Sequence, residues 1–214
     1  MIRYGITGTD TGVGKTVVAC ALIAALRDRG LSVAAMKPVE TGVDNNEPSD
    51  ARRLWDAAGG HDSLDDVCPE RFDEPLAPWV AARRAGRPIA LSSIEAARTR
   101  LETGRDALIV EGAGGLLVPL TDGVAYDTLF RRWGLDCIIV AANRLGAVNH
   151  TLLTLRAARA AGLRVRAVVL NTLCPGEMSI AEQTNFDTLR RLVPDATVLS
   201  FPYQGGAGAL APLL

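Results

Sequence analysis

The feature that most constrains this chain is a short loop near its start, residues 8–16, which read GTDTGVGKT. It lies between a strand-like stretch at 2–7 and a run of helical periodicity at 15–29 that stops at Gly30. A glycine-rich loop that leads a strand into a helix and ends in Lys-Thr is suited to hold phosphate. Successive backbone N–H groups wrap the anion at the helix N-terminus, the Lys ammonium reaches the β- and γ-oxygens, and the Thr hydroxyl coordinates Mg²⁺. The glycines let the backbone approach the ligand without a Cβ in the way. The spacing is one residue off the GxxxxGK[ST] pattern: Thr9 stands where the first glycine belongs, and Gly8 lies one place early.

The rest of the chain repeats the alternation of strand and helix. A second strand is expected at 32–36, ended by Pro38, and a polar loop follows at 38–48 with Gly42, Asn45, Asn46 and Pro48. Ser49 can cap a helix over 50–58, and helices are expected near 76–85 and 92–103. The continuous apolar run 107–110 marks a strand buried on both faces. Glycine-rich 112–115, a brief strand at 116–120 and a helix at 125–132 come next. Strands at 137–141 and 165–170 flank a helix from about 149 to 161, before a helix at 177–192 and a strand at 196–200. This order predicts an α/β fold, P-loop NTPase-like, with a mainly parallel sheet covered by helices on both faces. All 214 residues, 1–214, fit one domain of ordinary size. Ligands of such sheets bind at the carboxyl ends of strands, and Lys37, Glu111, Asn143 and Asn171 all follow apolar strands directly.

Composition narrows the partners. A formal net charge of −1 and a pI near 6.1 point to no nucleic acid and no membrane surface. No apolar run approaches the roughly 20 residues of a membrane span, and the N-terminus enters a strand without a signal-peptide pattern, so a cytoplasmic location is expected. Cys20, Cys68, Cys137 and Cys174 form no CxxC pair, and His61 and His150 are too few for a His-rich metal site. Of 23 basic residues, 21 are Arg, and the two lysines are Lys15 and Lys37. A chain that otherwise uses Arg keeps a compact ammonium at the phosphate loop and at the end of the next strand.

Three further residues join the loop. Glu111, in VEGAGG at 110–115, stands where a Walker-B-like carboxylate meets the metal, or is a solvated strand-end acid. Asp50 either supplies a third oxygen ligand with Thr16 and Glu111 or only complements a helix dipole. Lys37 either snorkels to solvent or faces the phosphate beside Lys15, where two ammonium groups suit charge that grows during phosphoryl transfer.

GTDTGVGKT at 8–16, MKPVETG at 36–42, the Ser49-Asp50 helix start, VEGAGGLLVPL at 110–120 and RLGAVNHTLLT at 144–154 resemble dethiobiotin synthetase, in order over nearly the whole chain. The resemblance implies a seven-stranded sheet and a homodimer with active sites at the subunit interface. It implies ATP as co-substrate, Mg²⁺, and ureido ring closure from 7,8-diaminopelargonic acid and CO₂. It implies that Gly12, Val13, Gly14, Lys15, Thr16 and Val17 hold the phosphates, and that Thr16, Asp50 and Glu111 hold the metal. Thr11, Lys37 and Thr41 would contact the diamine and its carbamate, with Lys15, Lys37 and Thr11 as the catalytic set. Gly146, Ala147, Val148 and Asn149 would take the substrate's distal carboxylate from the other subunit; free N–H groups at a helix start suit that role, and also an ordinary cap. Gly112, Ala113, Gly114, Asn171, Thr172 and Pro202 complete the implied nucleotide contacts, with Asn171 reading the base. The segment 201–206, about where the family's base-binding loop lies, is short. Two other activities of the same fold are weighed. A cobyrinate-type amide synthase needs a glutaminase domain that 214 residues cannot hold, and a partition-type ATPase carries a Lys where this chain has Asp10.

Overall fold

The structure is a computed structural model describing residues 1–44 and 47–214; Asn45 and Asn46, expected in the polar loop, lie outside the described residues. In chain order the elements are β1 (Ile2–Gly8), α1 (Lys15–Asp28), β2 (Val33–Met36), β3 (Val39–Thr41), α2 (Ser49–Ala57), α3 (Leu64–Val67) and β4 (Glu70–Phe72). Then come α4 (Pro78–Arg84), α5 (Leu91–Glu102), β5 (Ala107–Gly115), β6 (Pro119–Thr121), β7 (Val124–Ala125), α6 (Tyr126–Arg132) and β8 (Asp136–Ala142). The last are α7 (Ala147–Ala160), β9 (Val165–Asn171), α8 (Ile180–Leu192), β10 (Thr197–Phe201) and a 3₁₀ run over Ala207–Leu213.

The central sheet runs β10-β9-β8-β1-β5-β2, and every neighbouring pair is parallel. Its inner strands are buried on both faces, which is why β5 and β8 contain unbroken apolar runs instead of alternating ones. Along β5, Ala107 and Ile109 pack into the layer of α1 with Leu22 and Leu26, while Leu108 and Val110 face the layer of α5 and α6 with Ile94 and Phe130. The same two-sided alternation holds on β8, where Ile138 and Val140 join the first layer and Cys137, Ile139 and Ala141 the second.

The expected seven-stranded sheet is corrected to six among the described residues. Pro38 has no N–H to give a ladder, and just beyond it β3 pairs with β4 in a separate two-stranded sheet. After β10 the chain turns into the 3₁₀ run, which buries Leu210 and Leu213 against the layer of α1 and adds no strand. Other boundaries also move. The 38–48 loop contains β3, the brief strand at 116–120 shifts to β6, and α7 starts at Ala147 instead of near Asn149. Gly146 there has a φ of 91°, a left-handed cap that lets the helix begin directly after it. No helix among the described residues is long and apolar enough to cross a membrane.

Candidate active site

Register alone brings the chemistry together. Val110 of β5 lies level with Gly5 of β1 and with Met36 of β2, so Glu111 and Lys37, each one residue further, emerge side by side next to the phosphate loop. The β1–β5 register then slips, Ile6 opposing Glu111 and Gly8 opposing Gly115, so residues 112–114 bulge out of the ladder. That bulge turns Ala113 and Gly114 toward the cleft that the loop opens into.

Within the loop, Gly14 is the N-cap of α1 with a φ of 88° and no side-chain cap, so the first amides of α1 have no capping side chain. A Cβ on Gly14 would lie 2.0 Å from Asn171 Nδ2, an impossible approach. The Asn171 amide packs there because it donates to the Val13 carbonyl at 2.9 Å, tying the end of β9 to the back of the loop. Lys15 Nζ folds over the loop and donates to the Asp10 carbonyl at 3.2 Å. Burial, and next the charge of Lys37, pull the Lys15 ammonium below its ordinary pKa. Two cations therefore face one space, the arrangement an anionic ligand relieves.

Lys37 is 3% exposed, and its ammonium contacts Glu111 Oε1 and, at 3.1 Å, Asp50 Oδ2. Burial alone would lower its pKa, but the Glu111 and Asp50 carboxylates outweigh that and hold it well above the lysine range. The Thr16 hydroxyl donates to Glu111 Oε1 at 3.0 Å. Asp50 loses water too, which would raise its pKa, yet Lys37 and hydrogen bonds from Lys37 and Thr16 bring it below the usual carboxylate value. Glu111 Oε2 is buried with no hydrogen-bond partner, a costly state for a carboxylate oxygen.

These contacts test the fit of a metal. Among the described residues no group of three His, Cys, Asp or Glu side chains is placed to hold one. The donor set is instead one hydroxyl and two carboxylates, with an orphaned oxygen beside the phosphate loop. Hard oxygen donors few enough to leave positions for phosphate oxygens and water suit Mg²⁺, so the residues fit it.

The cleft is about 520 Å³. Of the residues singled out from the sequence, Thr11, Gly12, Gly14, Lys15, Thr16, Val17, Lys37, Thr41, Asp50, Glu111, Ala113 and Gly114 line it. Val13 and Asn171 lie behind the loop, and Gly112 packs on the Tyr126 ring. Thr172 and Pro202 follow β9 and β10, outside the cleft, where the Thr172 amide donates to the Phe201 carbonyl. Gly146, Ala147, Val148 and Asn149 form the start of α7, also outside the cleft. Asn143 is structural: its amide bridges the Glu182 carbonyl and Asn185 on α8.

Two features escaped the sequence. Arg53, one turn after Asp50 on α2, lines the cleft, as do Pro75, Leu76, Ala77 and Pro78. Glu40 is the second: it is buried on β3, and its carboxylate accepts the Asp50 and Ala51 amides at 2.9 Å each. The expected Ser49 cap is corrected by this contact. Ser49 is the first residue of α2, Pro48 is the N-cap and offers no side-chain acceptor, and Glu40 caps the helix from another strand.

A parallel sheet, a phosphate loop at its central strand and an acid on the adjoining strand define a P-loop nucleotide-binding protein. A family model described as an AAA domain matches residues 3–205. The structure of the cell division protein ftsY from Thermotoga maritima superposes with a TM-score of 0.53 at 14% identity, covering 96% of this chain and 63% of that one, a likeness of fold alone. Sequence relatives are more specific. An Anaeromyxobacter protein is 50% identical over 169 residues, 79% of this chain and 76% of its own. One from Thermodesulfovibrio yellowstonii is 39% identical over 94% of this chain and 88% of its own, and one from Rhodococcus jostii 43% over 96% and 87%. All three carry the name ATP-dependent dethiobiotin synthetase BioD. This chain belongs to the ATP-dependent dethiobiotin synthetase family, and is an enzyme of the ligase class.

Proposed function

We propose that this protein closes the ureido ring of dethiobiotin from 7,8-diaminopelargonic acid, CO₂ and ATP, as a cytoplasmic homodimer in which residues 1–214 act as one domain. The observation that carries the reading is the second ammonium: Lys37, buried on the strand beside the loop, shares the cleft with Lys15. A simple triphosphatase needs one such lysine. A reaction that builds an anion beside the γ-phosphate has use for two.

One amine adds to CO₂, giving a carbamate and releasing a proton. A carbamate oxygen then attacks the γ-phosphorus and ADP departs. The second amine attacks the carbonyl carbon of the resulting carbamic–phosphoric anhydride, the C–O bond to phosphate breaks, and the ring closes. Lys15 and Lys37 stabilise the oxygens on which charge gathers. The Glu111 and Asp50 carboxylates favour the charged form of Lys37, which suits a role by charge. Thr11, exposed, and Thr41, half-buried, both line the cleft and offer hydroxyls to the diamine. Thr16, Asp50 and Glu111 would hold Mg²⁺, which supplies charge neutralisation at the β- and γ-oxygens when bound.

The remaining phosphate contacts are assigned to amides of Gly12, Val13, Gly14 and Val17, and the nucleotide's outer parts to Gly112, Ala113, Gly114, Asn171, Thr172 and Pro202. The distal carboxylate is assigned to Gly146, Ala147, Val148 and Asn149 of a second copy. The left-handed Gly146 leaves the first amides of α7 without a side-chain cap, and Leu145 beside it is 87% exposed, which favours burial against another chain. The test is formation of dethiobiotin and phosphate from the diamine, bicarbonate, ATP and Mg²⁺. Phosphate release that ignores the diamine would sink the assignment, and a monomer at assay concentration would remove the shared site.

A further inference from the structure

We propose that Glu40 is the positioning residue of Asp50, setting the metal affinity of the cleft from strand β3. The proposal rests on the reading of Thr16, Asp50 and Glu111 as metal ligands. Three contacts converge on one side chain. Glu40 Oε1 accepts the Asp50 amide at 2.9 Å and the Ser49 hydroxyl at 3.4 Å, and Oε2 accepts the Ala51 amide at 2.9 Å. These amides are the second and third of α2, the pair an N-cap side chain ordinarily satisfies. Pro48 in the N-cap position has no side-chain oxygen to give them.

A local cap would stabilise α2 but would leave its placement to packing. A cap from β3 does both: it satisfies the helix start and pins the Asp50 backbone to a strand that is itself held by pairing with β4. The chain of contact is short. Thr41, the next residue on β3, lines the cleft, and Lys37, three residues before Glu40, contacts the Asp50 carboxylate. Glu40 is buried, so its charge is held where the α2 amides and helix dipole oppose it without solvent screening. Removing that charge frees Asp50 to shift with the helix, while Thr16 and Glu111 stay on α1 and β5.

Glu40→Gln keeps the shape but places an amide NH₂ against a backbone N–H. Partners that orient metal ligands typically carry about 10–100-fold in metal affinity, so Mn²⁺ binding to the full-length protein–ADP complex, followed by EPR of the bound ion, should weaken by about that factor. The Mg²⁺ concentration that half-saturates ring closure should rise in parallel, and ADP affinity without metal should change little. Pro48→Ser in the Glu40→Gln background supplies a local cap; it should recover the melting temperature and leave metal binding weak. If Glu40→Gln does not fold, the double variant carries the measurement. Metal affinity at the parent level in either variant overturns the proposal, leaving Glu40 a cap alone. Asp50→Asn separates the two readings. If it binds Mn²⁺ as the parent does, the metal assignment fails; if it weakens while Glu40→Gln does not, only the role of Glu40 fails.

Discussion

Replacing Lys37 with methionine keeps an unbranched side chain one atom shorter and removes its charge from the most buried ion pair of the cleft. Lys37 is 3% exposed and Glu111 is 0%, whereas the Asp50 side chain is 38% exposed. The cost therefore falls on Glu111, which keeps the Thr16 hydroxyl and loses its cation, while Asp50 is screened by water. Stranding one member of a buried pair costs about 3–5 kcal/mol. For a chain of this size each kcal/mol lowers the melting temperature by about 2–4 °C, so the loss should be at least roughly 6–12 °C. Urea unfolding of Lys37→Met, Glu111→Gln and the double variant closes the cycle. The double variant leaves neither member of this pair charged and should be more stable than Lys37→Met, although ring closure stays lost in all three. A Lys37→Met protein within about 1 kcal/mol of the parent, or a double variant no better than the single, would refute the claim that the pair is dry and mutually dependent.

Further consequences can be measured separately. Lys37→Arg keeps the charge but replaces a compact ammonium with a planar fork, and should lose most of the ring-closing rate; near-normal turnover would remove Lys37 from its role. Gly14→Ala adds a Cβ 2.0 Å from Asn171 Nδ2 at a φ of 88°, so it should cost well over the roughly 1–2 kcal/mol of a left-handed alanine and abolish ATP binding. Gly12→Ala, at a φ of 73° with nothing within 4 Å, should cost only that strain, as unfolding and ATP titration would tell. Because the folded Asp50 pKa lies below its unfolded value near 4, Asp50 contributes stability above that pH and loses it as the pH falls through the folded value. Unfolding midpoints of the parent and Asp50→Asn should thus converge in acid below about pH 4 and separate above it. Burial pushes the thiols of Cys20 to about 11 and of Cys68 and Cys137 to about 12, so iodoacetamide at neutral pH should label exposed Cys174 first, as peptide mass spectrometry would show.

Much of the site was legible in the sequence because it depends on local rules. The loop at 8–16 announces itself through residues within one turn of each other, and the strands before Lys37 and Glu111 through unbroken apolar runs. Boundaries set by one residue could be missed by little, as where left-handed Gly146 starts α7 at Ala147. Other features depend on what lies across space. Asn171 holds the back of the loop at Val13 across 158 residues of sequence, and Glu40 displaces Ser49 as the cap of α2 only because β3 finds β4. Even the pairing of Lys37 with Glu111 needs β2 beside β5, a neighbour choice that no periodicity encodes. The sequence by itself pointed to a phosphate loop at a strand end and offered two lysines and two acids as its candidate partners. The tertiary structure decided which acid each lysine meets and how Asp50 is held. It also ended the sheet at six strands, because register and burial are settled by packing partners distant along the chain.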